Sequence, residues 1–292
     1  MKLVSFQIHG NVSIGALIDD ETIVDFSVAD SSLPTSMKAF LSLGTGGLEQ
    51  AAAAISKAAW IEGATLARSS VQLLAPVGDA QKILCIGQNY RDHCLEQNQP
   101  IPESAILFSK YPTALNDPDG VVRIPKLAKQ VDYEAELAVV IGGAGGGGRY
   151  IPVEEALNHV AGYMCANDVS ARDIQFADKQ WVRGKSPDGF YPTGPYLLTA
   201  DEVADPHDLD ISLTLNGQTM QTSNTSNLIF NVPFLISYLS QTMTLLPGDI
   251  LSTGTPGGVG IFRKPPILLK QGDTMSVTIA GLGTLTNTVE ED

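Results

Sequence analysis

Apolar and polar residues alternate in short runs at the start of the chain. Leu3 to Ile8, Ser13 to Ile18 and Thr22 to Phe26 each read as a strand, joined by turn residues. The period then lengthens. Met37 to Leu43 and Leu48 to Trp60 read as helices, the second rich in alanine, a strong helix former. Leu73 to Asp79, with Pro76 and Gly78, interrupts both patterns and reads as a boundary. The expectation is a small N-terminal α/β domain, residues 1–75, followed by a larger unit, residues 80–292.

Strand patterns dominate that second unit: Lys82 to Ile86, Ala105 to Phe108, Tyr133 to Ile141, Ala161 to Ala166, Ile211 to Leu215, Asp249 to Leu251 and Met275 to Ile279. Asn216-Gly217 between apolar runs is a hairpin signal. Val232 to Thr242, behind Pro233, reads as one amphipathic helix. The glycine run from Gly142 to Gly148 has no following Gly-Lys-Ser/Thr, and no helix opens after it, so it reads as a flexible turn rather than a nucleotide loop. The fold class is therefore α+β with β dominant.

Composition narrows the function. The 292 residues, 43% hydrophobic and 17% charged, are enough for a sizeable core. A net charge of -14 argues against nucleic acid or an anionic membrane as partner. An anionic substrate would need local positive charge, from a metal or a placed Lys or Arg. Three cysteines, Cys85, Cys94 and Cys165, form no CxxC pair and suggest a reduced compartment. No apolar stretch reaches transmembrane length. The N-terminus shows no secretory or transit pattern, so the expectation is a cytoplasmic protein, or a mitochondrial one if a leader has been removed.

Four segments carry candidate chemistry. In Asp132-Tyr133-Glu134-Ala135-Glu136-Leu137 the strand period points Glu134 and Glu136 the same way. Two carboxylates side by side next to an apolar run call for a cation, a basic partner, a shared proton or water; an all-oxygen pair suits a hard ion such as Mg²⁺ or Ca²⁺. A solvated strand end with surface glutamates is the plainer alternative. In Asn89-Tyr90-Arg91-Asp92-His93-Cys94-Leu95-Glu96 a helix would set His93 and Glu96 three positions apart, as a base dyad or as a surface pair. Cys94 then faces elsewhere and reads as core. Asp168 ends an apolar strand and is a candidate ligand or helix cap, with Ser170 competing for the cap. Lys185, beside Gly184, is a candidate contact for a substrate oxygen or a plain loop lysine. Ser252 to Gly260 is a tight glycine-rich loop that could cradle an anionic group or simply turn.

Taken in order, NYRDHxxE, DYEAELAVVIG, NDVSARDxQ, GKS and STGTPGGVG resemble the fumarylacetoacetate hydrolase family over residues 80 to 290. The tail GVGIFRKPPILLKQGD looks closest to its "domain-containing" members. The resemblance implies a β-rich, sandwich-like roll with a smaller N-terminal domain, and a homodimer. It also implies Glu134, Glu136 and Asp168 as ligands to Mg²⁺, with Ca²⁺ or Mn²⁺ as substitutes. His93 and Glu96 would be the base dyad and Lys185 the lysine at the reacting oxygens. Gln175, Thr255 and Lys110 would contact substrate. One departure stands after Lys185: relatives commonly carry Phe and then Asp-Thr-Phe, where this chain has Pro187-Asp188-Gly189-Phe190. A proline stiffens and a glycine loosens such a loop, so a different shape around Lys185 is expected.

These residues imply an Mg²⁺-dependent enzyme acting on a small anionic oxo acid. The first expectation is hydrolysis of a C–C bond in a 2,4-dioxo acid of acylpyruvate type, by a His93–Glu96 activated water and a metal-bound enolate. The alternative is tautomerisation or decarboxylation of oxaloacetate at the same site. A non-catalytic metal-binding scaffold is the remote third, because a scaffold has no use for a base dyad.

Overall fold

The computed structural model describes residues 1–292. A large sheet of 12 strands forms the frame. Its central order is Asn11–Leu17, Lys2–Ile8, Tyr191–Thr199, Val160–Asn167, Ala135–Ile141, Ile250–Ser252, Ile83–Gly87 and Ile106–Lys110. A second sheet of five strands holds Gln218–Asn224, Asp210–Leu215, Thr274–Ile279, Gly283–Glu291 and Val121–Ile124. The β-dominated α+β expectation holds. No helix is long and apolar enough to cross a membrane.

The central strand Ala135–Ile141 is buried along its whole length, and its two faces feed two different cores. Ala135, Leu137, Val139 and Ile141 join a cluster of 45 buried residues that also takes in the five-stranded sheet. Ala138 and Val140 face the other way, into a cluster of 27 that includes the N-terminal helices. Period-2 alternation puts Glu136 on this second face, at the strand's open end. The helix Gly44–Ala58 covers that face with a stripe of small residues, Gly47, Ala51, Ala54 and Ala58, spaced one turn apart.

The N-terminal strands are part of the same frame. Lys2 and Leu3 pair with Leu198 and Leu197, so the large sheet runs continuously across the boundary read at Leu73 to Asp79. The hairpin at Asn216-Gly217 forms as expected; both residues have positive φ, 52° and 79°, the conformation of a two-residue type I′ turn. One central strand is not legible in the residue pattern. Tyr191–Thr199 carries Pro192, Gly194 and Pro195, residues that argue against an inner strand. The sheet accommodates them with a register irregularity in the neighbouring strand, between Tyr163 and Cys165, opposite Gly194.

Candidate active site

The register of two adjacent strands builds the acidic cluster. Ala135 pairs with Asn167, so Glu134 and Asp168 lie opposite one another just past the paired ends. The Asp168 N–H donates to the Glu134 carbonyl at 2.9 Å, and the Asn167 side chain accepts from the Glu134 N–H at 3.0 Å. Glu134, Glu136 and Asp168 bring their carboxylate oxygens within 4.8 Å of one another. They are 5%, 2% and 0% exposed, which excludes a solvated strand end. Neither Asp168 nor Ser170 caps the following helix Arg172–Ala177, whose N-cap position is Ala171.

Three buried cations surround the cluster. Lys185, at the end of the short helix Val182–Lys185, donates to Glu134 Oε2 and Asp168 Oδ2, both at 2.7 Å. It bridges two carboxylates that would otherwise repel. Lys110 donates to Asp168 Oδ1 at 2.6 Å and to the Val169 carbonyl at 3.1 Å. Arg172 places Nη2 2.6 Å from Glu134 Oε1, donates from Nε to Asp132 at 2.9 Å and from Nη1 to Gln175 Oε1 at 3.0 Å. The segment from Pro187 to Phe190 lies beyond this helix. Gly189 there is tied to Thr113 and Asn116, while Lys185 reaches the carboxylates from the helix itself.

Four carboxylates, Asp132, Glu134, Glu136 and Asp168, thus face three cations, and Glu136 is the one without a cationic partner. It accepts only from the Ser252 hydroxyl and from the Gly254 N–H at 3.1 Å. Burial, and then the charges of Asp168 and Glu134, push its carboxyl well above the ordinary glutamate range. At Glu134 burial acts the same way, but Lys185 and Arg172 outweigh it and hold the group down. Burial opposes the charge on Lys185, and Asp168 with Glu134 overcomes it, so its pKa is raised. At Lys110 burial prevails and the pKa is lowered. An all-oxygen, buried donor set with one uncompensated negative charge fits a hard divalent cation.

A prediction follows from Glu136. Without metal the folded protein binds this proton more tightly than the unfolded chain does. Its stabilisation is therefore full at low pH and is lost as pH rises from the ordinary glutamate range upward. Metal-free protein is expected to lose stability with rising pH relative to Glu136→Gln, which cannot titrate. A divalent ion, which needs the carboxylate, should reverse the trend in the parent protein only. Parallel stability–pH curves for the two metal-free proteins would refute the assignment.

The glycine-rich loop after Ser252 turns out to hold the protein's own carboxylates. Besides Gly254 on Glu136, the Gly257 N–H donates to Asp92 at 3.3 Å and the Gly258 N–H to Glu96 Oε2 at 2.7 Å. The N–H groups of Gly260 and Ile261 donate to Asp132 at 2.8 and 3.1 Å. Gly258 has φ +103°, and a Cβ there would meet the Met220 carbonyl at 2.3 Å, so only glycine fits. One loop therefore aligns the acidic cluster with the dyad.

His93 sits on the helix Arg91–Glu96, one turn before Glu96. Its Nδ1 is 2.8 Å from Glu96 Oε1. Glu96 can only accept, so the ring proton is assigned to Nδ1 and the lone pair to Nε2. Cys94 points away, its thiol against the Gln88 carbonyl, as a core residue. A cavity of about 170 Å³ connects the groups, well above the roughly 10–15 Å³ that a single water needs. Its polar end is lined by His93, Glu134, Glu136, Arg172 and Lys185, together with Gln175 and Thr255. Phe108, Phe176, Trp181 and Phe262 form its apolar wall. The Trp181 ring packs onto Gly87, where a Cβ would come within 2.5 Å of it.

Eight of the nine residues singled out converge here: seven on or at the acidic end of the cavity, and Glu96 behind His93. Lys110 is placed differently, fully buried behind Asp168 rather than on the cavity wall. Thr255 is held by Gln221, whose amide donates to its hydroxyl at 2.8 Å. Arg172, Gln97 and Ser252 were not singled out from the residue pattern. Arg172 had a signal, since an acidic cluster needs counter-charge and this arginine lies within NDVSARD.

Comparison with known proteins agrees with this geometry. Residues 82–290 match the family described as fumarylacetoacetate (FAA) hydrolase C-terminal. The Xenopus laevis protein named oxaloacetate tautomerase fahd2, mitochondrial, is 46% identical, with 99% of this chain and 90% of the relative covered. The Homo sapiens oxaloacetate tautomerase FAHD2A, mitochondrial, is 44% identical over 91% of this chain and 83% of its own length. Among solved structures, a fumarylacetoacetate hydrolase from Exiguobacterium antarcticum superimposes with a TM-score of 0.84 at 34% identity, covering 100% of both chains. A putative HpcE protein from Mycobacterium smegmatis gives 0.86 at 34% identity, over 98% of this chain and 99% of that one. With a buried acidic triad, a histidine–glutamate dyad opening on the same cavity, and these relatives, the chain is an enzyme that belongs to the fumarylacetoacetate hydrolase family.

Proposed function

We propose that the enzyme interconverts the keto and enol forms of oxaloacetate at a site that takes Mg²⁺, with Mn²⁺ or Ca²⁺ as substitutes. The observation that carries this reading is that His93, its Nδ1 held by Glu96, lines the same cavity as Glu134 and Glu136, the two glutamates of the acidic triad with Asp168. The names of the Xenopus and human relatives favour tautomerisation over hydrolysis of a 2,4-dioxo acid, which the acidic triad and the His93–Glu96 pair would allow equally.

A divalent ion held by Glu134, Glu136 and Asp168 would supply Lewis-acid polarisation of a 2-oxo group. The chain does the rest. Lys185 and Arg172 give an acidic protein the local positive charge that a dianionic substrate requires, and both are fixed by ion pairs before substrate arrives. His93 takes the proton from C3, the C–H electrons form the C2–C3 double bond, and the 2-oxo oxygen gains charge. The imidazolium, stabilised by Glu96, returns the proton to that oxygen. No atom is added or lost, so a small cavity is sufficient. The aromatic wall limits water around the developing charge.

The test is a product panel on oxaloacetate and several acylpyruvates, with Mg²⁺ and with EDTA. Mg²⁺-dependent tautomer interconversion of oxaloacetate, without pyruvate, is expected, and EDTA should abolish it. Pyruvate from oxaloacetate would make the enzyme a decarboxylase. Pyruvate plus a carboxylic acid from an acylpyruvate, without tautomerisation, would make it a hydrolase.

A further inference from the structure

The lone pair that His93 needs for catalysis already has a partner. The side-chain amide of Gln97 lies 2.6 Å from Nε2. Gln97 follows His93 by four residues, at the C-cap of the same helix, and lines the same cavity. Nδ1 is committed to Glu96, and the other oxygen of Glu96 to the Gly258 N–H. The Gln97 NH₂ is therefore the donor and Nε2 the acceptor.

We infer that Gln97 keeps a hydrolytic water off His93 and so decides which reaction the site performs. This rests on the tautomerase reading. The two reactions differ in what must occupy Nε2. In tautomerisation the C3–H bond breaks directly towards Nε2 and no water takes part. In cleavage of an acylpyruvate, a water donates its proton to Nε2 while its oxygen bonds to C4. The C3–C4 bond then breaks, its electron pair goes to C3, and C3 takes the proton, leaving pyruvate and a carboxylic acid. Hydrolysis thus needs a water hydrogen-bonded to the atom that Gln97 holds.

The cavity has the volume to admit such a water, so size alone does not exclude it. Gln97 competes with it as the same kind of donor, with the advantage of being tethered one turn away. A substrate CH₂ displaces the amide because the binding energy of its carboxylates drives it against His93. A lone water has no such anchorage.

The experiment measures two rates in each protein: oxaloacetate tautomerisation, and acetylpyruvate hydrolysis with Mg²⁺. Gln97→Ala opens the position to water. It should raise the ratio of hydrolysis to tautomerisation about tenfold, the worth of roughly one hydrogen bond at the contested lone pair. Gln97→Met keeps the bulk but removes the donor, so the lone pair is uncontested there too and the ratio should rise by a similar factor. Retained tautomerisation certifies that each variant is folded. An unchanged ratio in Gln97→Ala overturns the inference, as does a Gln97→Met ratio within about twofold of the parent, which would make bulk rather than the hydrogen bond the barrier. A parent protein that does not tautomerise oxaloacetate overturns the functional reading and the inference together.

Discussion

Replacing His93 with alanine is expected to lower turnover by about 10²- to 10⁴-fold, the usual contribution of a positioned general base. Divalent-ion affinity should change little. The two effects separate because His93 makes its side-chain contacts to Glu96 and Gln97, and none to the three carboxylates of the acidic cluster. Truncation frees Glu96 Oε1, but that carboxylate keeps the Gly258 N–H on its other oxygen and is partly exposed, so no buried charge is stranded. The measurement is kcat on oxaloacetate beside a calorimetric titration with Mg²⁺ or Mn²⁺. Turnover equal to that of the parent protein would remove His93 from the mechanism. A parallel loss of metal affinity would make it part of the ion site instead.

The second large effect concerns Asp168. Its two oxygens hold Lys110 at 2.6 Å and Lys185 at 2.7 Å, and the side chains of all three residues are almost completely buried. Asp168→Ala removes the shared counter-charge. Lys185 keeps Glu134, but Lys110 is left with the Val169 carbonyl and the face of the Tyr191 ring, and with no counter-charge. Breaking a buried pair in this way costs about 3–5 kcal/mol, because the stranded charge stays desolvated. Chemical unfolding should show a loss of that size, together with loss of metal binding. Lys110→Met in the Asp168→Ala background should restore part of the stability by removing the stranded ammonium. A single variant within about 1 kcal/mol of the parent would mean that water or a rearranged carboxylate reaches Lys110, since ordinary surface changes fall in that range.

These outcomes bear on how the enzyme manages its charge. With a net charge of -14 the chain has few cations, and it concentrates three of them in one place. Lys110, Lys185 and Arg172 are buried among carboxylates, which hold the cations in place and leave Glu136 without a cationic partner. The backbone amides of the loop from Gly254 to Ile261 anchor Glu136, Glu96 and Asp132 from one segment. The acidic cluster and the His93–Glu96 pair are thereby kept in a common frame.

The sequence by itself determined everything that depends on one local period. Glu134 and Glu136 share a face because strand side chains alternate, and His93 meets Glu96 because three residues make about one helical turn. Asn216-Gly217 turns the hairpin because both positions accept positive φ. Tertiary structure decided the rest. That Asp168 stands opposite Glu134 depends on a register set by the whole sheet, and that Tyr191–Thr199 is a central strand despite its prolines depends on an irregularity in its neighbour. The separation of Lys110 from the cavity was equally illegible. The glycine-rich loop read as a possible cradle for an anion, but nothing in it said that the anions would be the protein's own Asp92, Glu96, Asp132 and Glu136. The physical reason is the same in each case: the partners lie tens of residues apart, and nothing in local propensity specifies which buried charge will find which counter-charge until the sheets are packed.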